Sequence, residues 1–125
     1  MNVRTLLADQ LRAALPPKWD VIDHGVTLEN PTKPVVVVKQ TNAAKNPGAP
    51  RMYRDFTFTL GLVEPGLELD KVEDALDADL DLVLDALDAL ELPGLLWTGA
   101  DRVTFDSRFH GYEIHVNITT EKDTP

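Results

Sequence analysis

The most constraining feature of this chain is a helical repeat near its middle. Val72, Leu76, Leu80, Val83, Leu87 and Leu90 follow one another at spacings of 4, 4, 3, 4 and 3. That rhythm predicts a helix over residues 70–90 with a single apolar stripe. Such a stripe has to be covered by another element. Removing each large aliphatic side chain from water is worth about 1.5–3 kcal/mol. Pro93-Gly94 ends the segment.

The positions between the apolar ones are acidic. Residues 64–91 hold eleven of the 21 Asp and Glu residues but only one of the 12 Lys and Arg, Lys71. That stretch therefore carries −10, against −9 for the whole chain, and everything else sums to +1. Asp70, Asp74, Asp77, Asp81, Asp85 and Asp88 form the acidic side of the predicted helix. The acidity is thus a property of one element on a nearly neutral domain.

The remaining pattern predicts five strands and a second helix. Residues 3–15 place Val3, Leu7, Leu11, Ala14 and Leu15 on one helical stripe, with Asn2 as cap and Pro16-Pro17 as stop. Residues 19–24 are a short β-prone run, and 25–34 a turn-rich connection. Residues 35–39 are β-branched throughout until Lys39, the pattern of a strand buried on both faces. Residues 40–50, QTNAAKNPGAP, contain nothing apolar larger than Ala and read as a long mobile loop. From 52 to 63 the chain alternates: Met52, Phe56, Phe58, Leu60 and Leu62 on one face, Tyr53, Asp55, Thr57 and Thr59 on the other. Residues 102–106 and 112–119 are the last two strands, joined by a turn, and 120–125 form a polar tail.

The order α-β-β-β-α-β-β predicts an α+β fold in a single domain spanning 1–125. Its sheet is mainly antiparallel, with about five strands and both helices on one face. The opposite face then carries Thr57, Thr59, His115, Asn117 and Thr119.

Several chemistries find no support. Cysteine is absent, which removes disulfides, thiolate catalysis and Cys-based zinc sites. Asp77-x-Asp79-x-Asp81 opens like an EF-hand loop. The required sixth-position Gly and twelfth-position Glu are instead Leu82 and Asp88, and a helix would aim the three carboxylates apart. His24, His110 and His115 lack metal-site spacing, and Ser107 lacks a nucleophile-elbow context. No Gly-rich phosphate loop is present. No catalytic residue, metal or cofactor is therefore expected, and the chain is read as a non-enzyme. No segment reaches the roughly 20 apolar residues needed to span a bilayer, so a soluble protein made in the cytoplasm is expected. The net acidity disfavours binding to phosphate backbone. The bases Lys39, Lys45, Arg51 and Arg54 gather around the loop, with Arg102 and Arg108 at the ends of the fourth strand. They read either as gatekeeping charges at strand edges or as a basic docking surface for the acidic helix of a neighbouring copy.

The layout has a known counterpart. A short N-terminal helix (VRTLLADQLRAAL) precedes a Pro-Pro-Lys-Trp turn. A polar loop (KQTNAAKNPGAPR) precedes a long alternating strand (YRDFTFTLGLVE). An acidic helix (LDKVEDALDADLDLVLDALDAL) and a hairpin ending in GYEIHVNIT complete the chain. This resembles the tail terminator proteins of long, non-contractile-tailed phages, the head-to-tail connector subunits, over residues 3–119. The resemblance implies a structural virion protein without catalytic residues, assembled in the host cytoplasm. Six copies form a ring that caps the tail tube, ends its polymerisation and docks to the head-side connector, and DNA later passes through. It also implies that Gln40, Asn42, Lys45, Asn46 and Arg51 belong to an assembly loop contacting a neighbouring subunit or the tail-tube protein; Lys39, Arg54, Arg102 and Arg108 are the docking positions that the charge pattern itself offers. Acidic helices flanking the lumen would keep DNA off the wall. The alternatives are another neck adaptor, a tail-tube subunit, or an acidic DNA-mimic inhibitor.

Overall fold

The computed structural model describes residues 2–23, 32–45, 53–66, 68–105 and 108–121. The elements run α1 (Val3–Ala14), β1 (Asp20–Ile22), β2 (Val35–Lys45), β3 (Tyr53–Val63), α2 (Leu69–Ala89), β4 (Leu95–Phe105) and β5 (Phe109–Glu121). The strands form one five-stranded sheet in the order β1-β2-β3-β5-β4. Only β1–β2 is parallel. This is the expected α+β architecture in the expected element order.

The alternating strand occupies the centre. β3 pairs with β5 at eleven consecutive positions, from Tyr53↔Glu121 to Val63↔Gly111, without a break. Alternation sends Phe58, Leu60 and Leu62 of β3, with Ile114, Val116 and Ile118 of β5, to one face, where all six are buried. Both helices cover that face. Leu7 and Leu11 of α1 and Leu76, Val83 and Leu87 of α2 belong to the same core cluster, joined by Val36 and Val38 of β2. The Asn2 side chain caps α1 by accepting from the Thr5 N–H at 2.8 Å. Arg12 ties the helix to β1 by donating from Nε and Nη2 to the Val21 carbonyl.

A smaller apolar cluster lies on the opposite face, at one end of the sheet. Val35, Val63 and Phe109 are buried there, with Ile22, Val37 and Phe105 packed against them. The 35–38 run is thus apolar on both sides, as its composition predicts. Phe105 reaches this cluster across two glycines: its ring lies where a Cβ on Gly61 or Gly111 would stand, at 3.1 Å and 2.6 Å respectively. An edge-strand aromatic covering glycines on the inner strands substitutes for the side chains those strands lack.

Several boundaries differ from the sequence reading. β5 runs on to Glu121, so Thr120 and Glu121 of the expected 120–125 tail belong to the strand, and the rest of that tail lies outside the described residues. Residues 40–45 are not loop; they continue β2 to Lys45, paired with β3 down to Arg54. The rest of the expected 40–50 loop, from 46, lies outside the described residues. The fourth strand begins at Leu95 rather than 102, and the last at Phe109 rather than 112. The long inner strands explain these extensions. β3 offers backbone donors and acceptors to β2 and β5, β5 offers them to β3 and β4, and the neighbouring segments complete those ladders whatever their own propensity.

The glycines give a sharp stability test. A Cβ at Gly111 collides with the Leu62 carbonyl as well as the Phe105 ring, whereas one at Gly99 meets nothing within 4 Å. Gly111→Ala is expected to destabilise by about 1–3 kcal/mol in denaturant unfolding. Gly99→Ala should change stability by less than about 0.5 kcal/mol.

Candidate functional site

Helix α2 concentrates the charge. Asp70, Asp74, Asp77, Asp81, Asp85 and Asp88 are all exposed. At 100° per residue the six fall within an arc of about 80°, opposite the stripe of Val72, Leu76, Val83 and Leu87, in a band about 27 Å long. Neighbours four apart on a helix repel when alike, and acids in the last turn also oppose the helix dipole. No basic residue offsets them in the last turn of α2.

Part of the band is neutralised within the chain. Arg102 of β4 reaches Asp77 at 3.1 Å and Glu73 at 3.5 Å. It also donates to the Tyr112 hydroxyl at 3.1 Å, with its guanidinium 4.9 Å from the ring centre. The Tyr112 hydroxyl in turn donates to Asp77. Trp97 Nε1 donates to Asp88 at 2.9 Å. Arg102, one of the expected docking bases, is therefore engaged by the chain's own helix. Arg108 lies over the Phe109 ring at 4.6 Å.

The other bases sit at the opposite side of the sheet. Lys45 and Arg54 are register partners near the end of the β2–β3 ladder. With Ala43, Ala44 and Phe56 they line a shallow depression of about 440 Å³. Lys39, Gln40 and Asn42 are exposed along β2. Asn46 and Arg51 fall outside the described residues. The sheet therefore has a basic side at the β2–β3 hairpin and an acidic side at α2 and β4.

The EF-hand-like triplet does not converge. Asp77 meets Arg102, Asp81 is exposed, and Asp79 turns toward Glu64. Among the described residues no three His, Asp or Glu side chains are grouped to hold a metal ion. His110 and His115 fall on opposite faces of β5, as their odd separation requires. His115 Nε2 lies 3.1 Å from Asp101. His24 and Ser107 are outside the described residues. No described helix is long and apolar enough to cross a membrane.

One group escaped the sequence reading. Glu64, just past β3, is 4% exposed, and its Oε2 has no hydrogen-bond partner. The signal was present: the alternation Phe56, Phe58, Leu60, Leu62 continues to 64, which puts a carboxyl on the core face. Burial pushes the Glu64 carboxyl up to about 8, and the hydrogen bond and negative charge of Asp79 push the same way.

No protein-family model and no curated protein matches the chain.

Glu64 makes stability depend on pH. The folded chain keeps a proton that the unfolded chain releases above its ordinary value of 4.5. Unfolding then liberates a proton, so this group's contribution falls as pH rises from 4.5 through about 8. Glu64→Gln should flatten that slope and raise stability at pH 9 by about 1–3 kcal/mol, the usual cost of an unsatisfied buried group. Urea unfolding of both proteins at pH 5, 7 and 9 measures it. Equal slopes would show that Glu64 ionises freely in the folded protein.

Proposed function

We propose that this protein is a non-enzymatic structural subunit of a phage particle, which assembles with copies of itself into a hexameric ring at the neck end of the tail. In this reading the ring caps the tail tube, ends its polymerisation and joins it to the head-side connector, and DNA passes through without being held. The observation that carries it is the division of charge across one small domain. An exposed acidic band runs along α2, and a basic hairpin sits at the far side of the sheet. A subunit with opposite charges on opposite sides suits head-to-tail contacts between copies, because the acid of one faces the base of the next. The element order, α-β-β-β-α-β-β, is also that of the tail terminators the chain resembles.

The acidic band bears on the second half of the role. A conduit for DNA must not bind phosphate, and an unneutralised row of carboxylates repels it. All six aspartates of that row are exposed, and Asp77 and Asp88 are the two that Arg102, Tyr112 and Trp97 engage, which leaves Asp70, Asp74, Asp81 and Asp85 to carry the repulsion.

Native mass spectrometry of the purified protein tests the reading. A closed ring of six that does not elongate is expected. Long tubes would identify a tube subunit instead, and a monomer at millimolar concentration would contradict self-assembly altogether.

A further inference from the structure

The sheet has two open edges that match each other. β1 pairs with β2 only at Val35, Val36 and Val37. Beyond them, from Val38 to Lys45, β2 has no strand on its outer side among the described residues, and residues 39–45 are all exposed. At the other side, among the described residues, β4 pairs with β5 alone, and none of its eleven residues is buried. An edge strand with free N–H and C=O groups is a template for another strand.

The edges stand at the same height. Following the registers across the sheet, Val38, Leu60, Ile114 and Ala100 form one row, and Ala43, Phe56, Ile118 and Leu95 another. Three antiparallel pairings separate β2 from β4, so the two run in opposite directions. A β4 brought against the outer side of another copy's β2 is therefore antiparallel to it. The edges also bend at the same place. β2 carries a bulge between Gln40 and Asn42, and β4 one between Trp97 and Gly99, both bordering the Phe58–Val116 row. In each the extra residue is a threonine whose hydroxyl donates to a carbonyl of the inner strand, Thr41 to Thr57 and Thr98 to His115. Bulges increase local bend and twist, so edges bulged at one level curve alike.

Charge is complementary along the same edges. Lys39 and Asp101 both belong to the sheet face away from the helices, two rows apart and so next to each other on that face. On the helix side, Lys45 and Arg54 lie just past the Ala43 row, while Asp88 lies beside Trp97, near the Leu95 end.

We infer that the 38–45 edge of β2 and the Leu95–Ala100 part of the outer edge of β4 are the two halves of one interface, through which a second copy of this chain adds its β4 to β2 and extends the sheet from subunit to subunit. This rests on the self-assembling reading above and names its surface. The contact is heterologous, since each copy offers β2 at one side and β4 at the other, and it closes into a ring when each step turns by the same angle.

The chain has no cysteine, so disulfide trapping reports the contact cleanly. Lys39→Cys combined with Gly99→Cys, or with Asp101→Cys two residues along, should oxidise to a ladder of covalent oligomers on denaturing gels. Each single variant should stay a single-chain band, and an equal mixture of two singles should stop at a dimer. Lys39 and Asp101 are exposed, and Gly99 has open space around it, so the variants should retain the wild-type melting curve. As a second readout, Lys39→Asp should weaken association at least tenfold, and adding Asp101→Lys should restore it. Single variants that cross-link to themselves would mean a two-fold contact and overturn the inference. So would a wild-type ring in which no double variant cross-links, though the ring reading would then survive. A wild-type chain that neither cross-links in these variants nor assembles would overturn both.

Discussion

The pairing of β3 with β5 is the interaction on which the rest of the structure depends. It is the longest unbroken ladder, and its residues supply six of the buried side chains that the helices cover. A one-residue slip would turn Phe58, Leu60 and Leu62 to the opposite face and bring Thr57 and Thr59 beneath α2. The register is held from both sides. The main core fixes one face, and Phe105 over Gly61 and Gly111 fixes the other. The outer strands then build onto a finished centre, which is why they can be polar, bulged and exposed.

Much of this was legible in the chain because the burial is one-sided. A helix packed on one face and a strand packed on one face leave periods of 3.6 and 2 in the sequence, and α2, β3 and the second half of β5 show them. The missed segments are those whose burial is not one-sided. β4 begins with Leu95, Leu96, Trp97, Thr98 and Gly99, where the bulge breaks the alternation and Leu96 is 62% exposed. Residues 40–45 look like a loop because an edge strand exposed to water places no demand on its side chains. The charge pattern of α2 was evident as a list of acids. That Arg102 would pair with one flank of it, and Tyr112 and Trp97 hydrogen-bond to it, was not, since those contacts join residues brought together only by the β4–β5 hairpin folding beside the helix. Glu64 was overlooked for the opposite reason: it obeys the strand's period, but a carboxyl is the last group expected to do so.

The charge and the edges lead to one functional picture. An acidic helix with no base in its last turn is less stable alone than it need be. Two edges at matching heights, without a strand partner among the described residues, likewise leave backbone groups to water. Both features make sense in a subunit whose native surroundings are other copies of itself. In the proposed reading, the same acids would give such an assembly a surface that repels DNA.

Hydrogen exchange of the purified protein, followed residue by residue in dilute and concentrated solution, tests this account most directly. Amides of β3 and β5 should exchange slowest at every concentration. The outward-pointing amides of residues 38–45 and of β4 should exchange fast when dilute and become protected on assembly. Edge amides that exchange equally fast in the assembled and dilute protein, or a most-protected region outside β3 and β5, would contradict it.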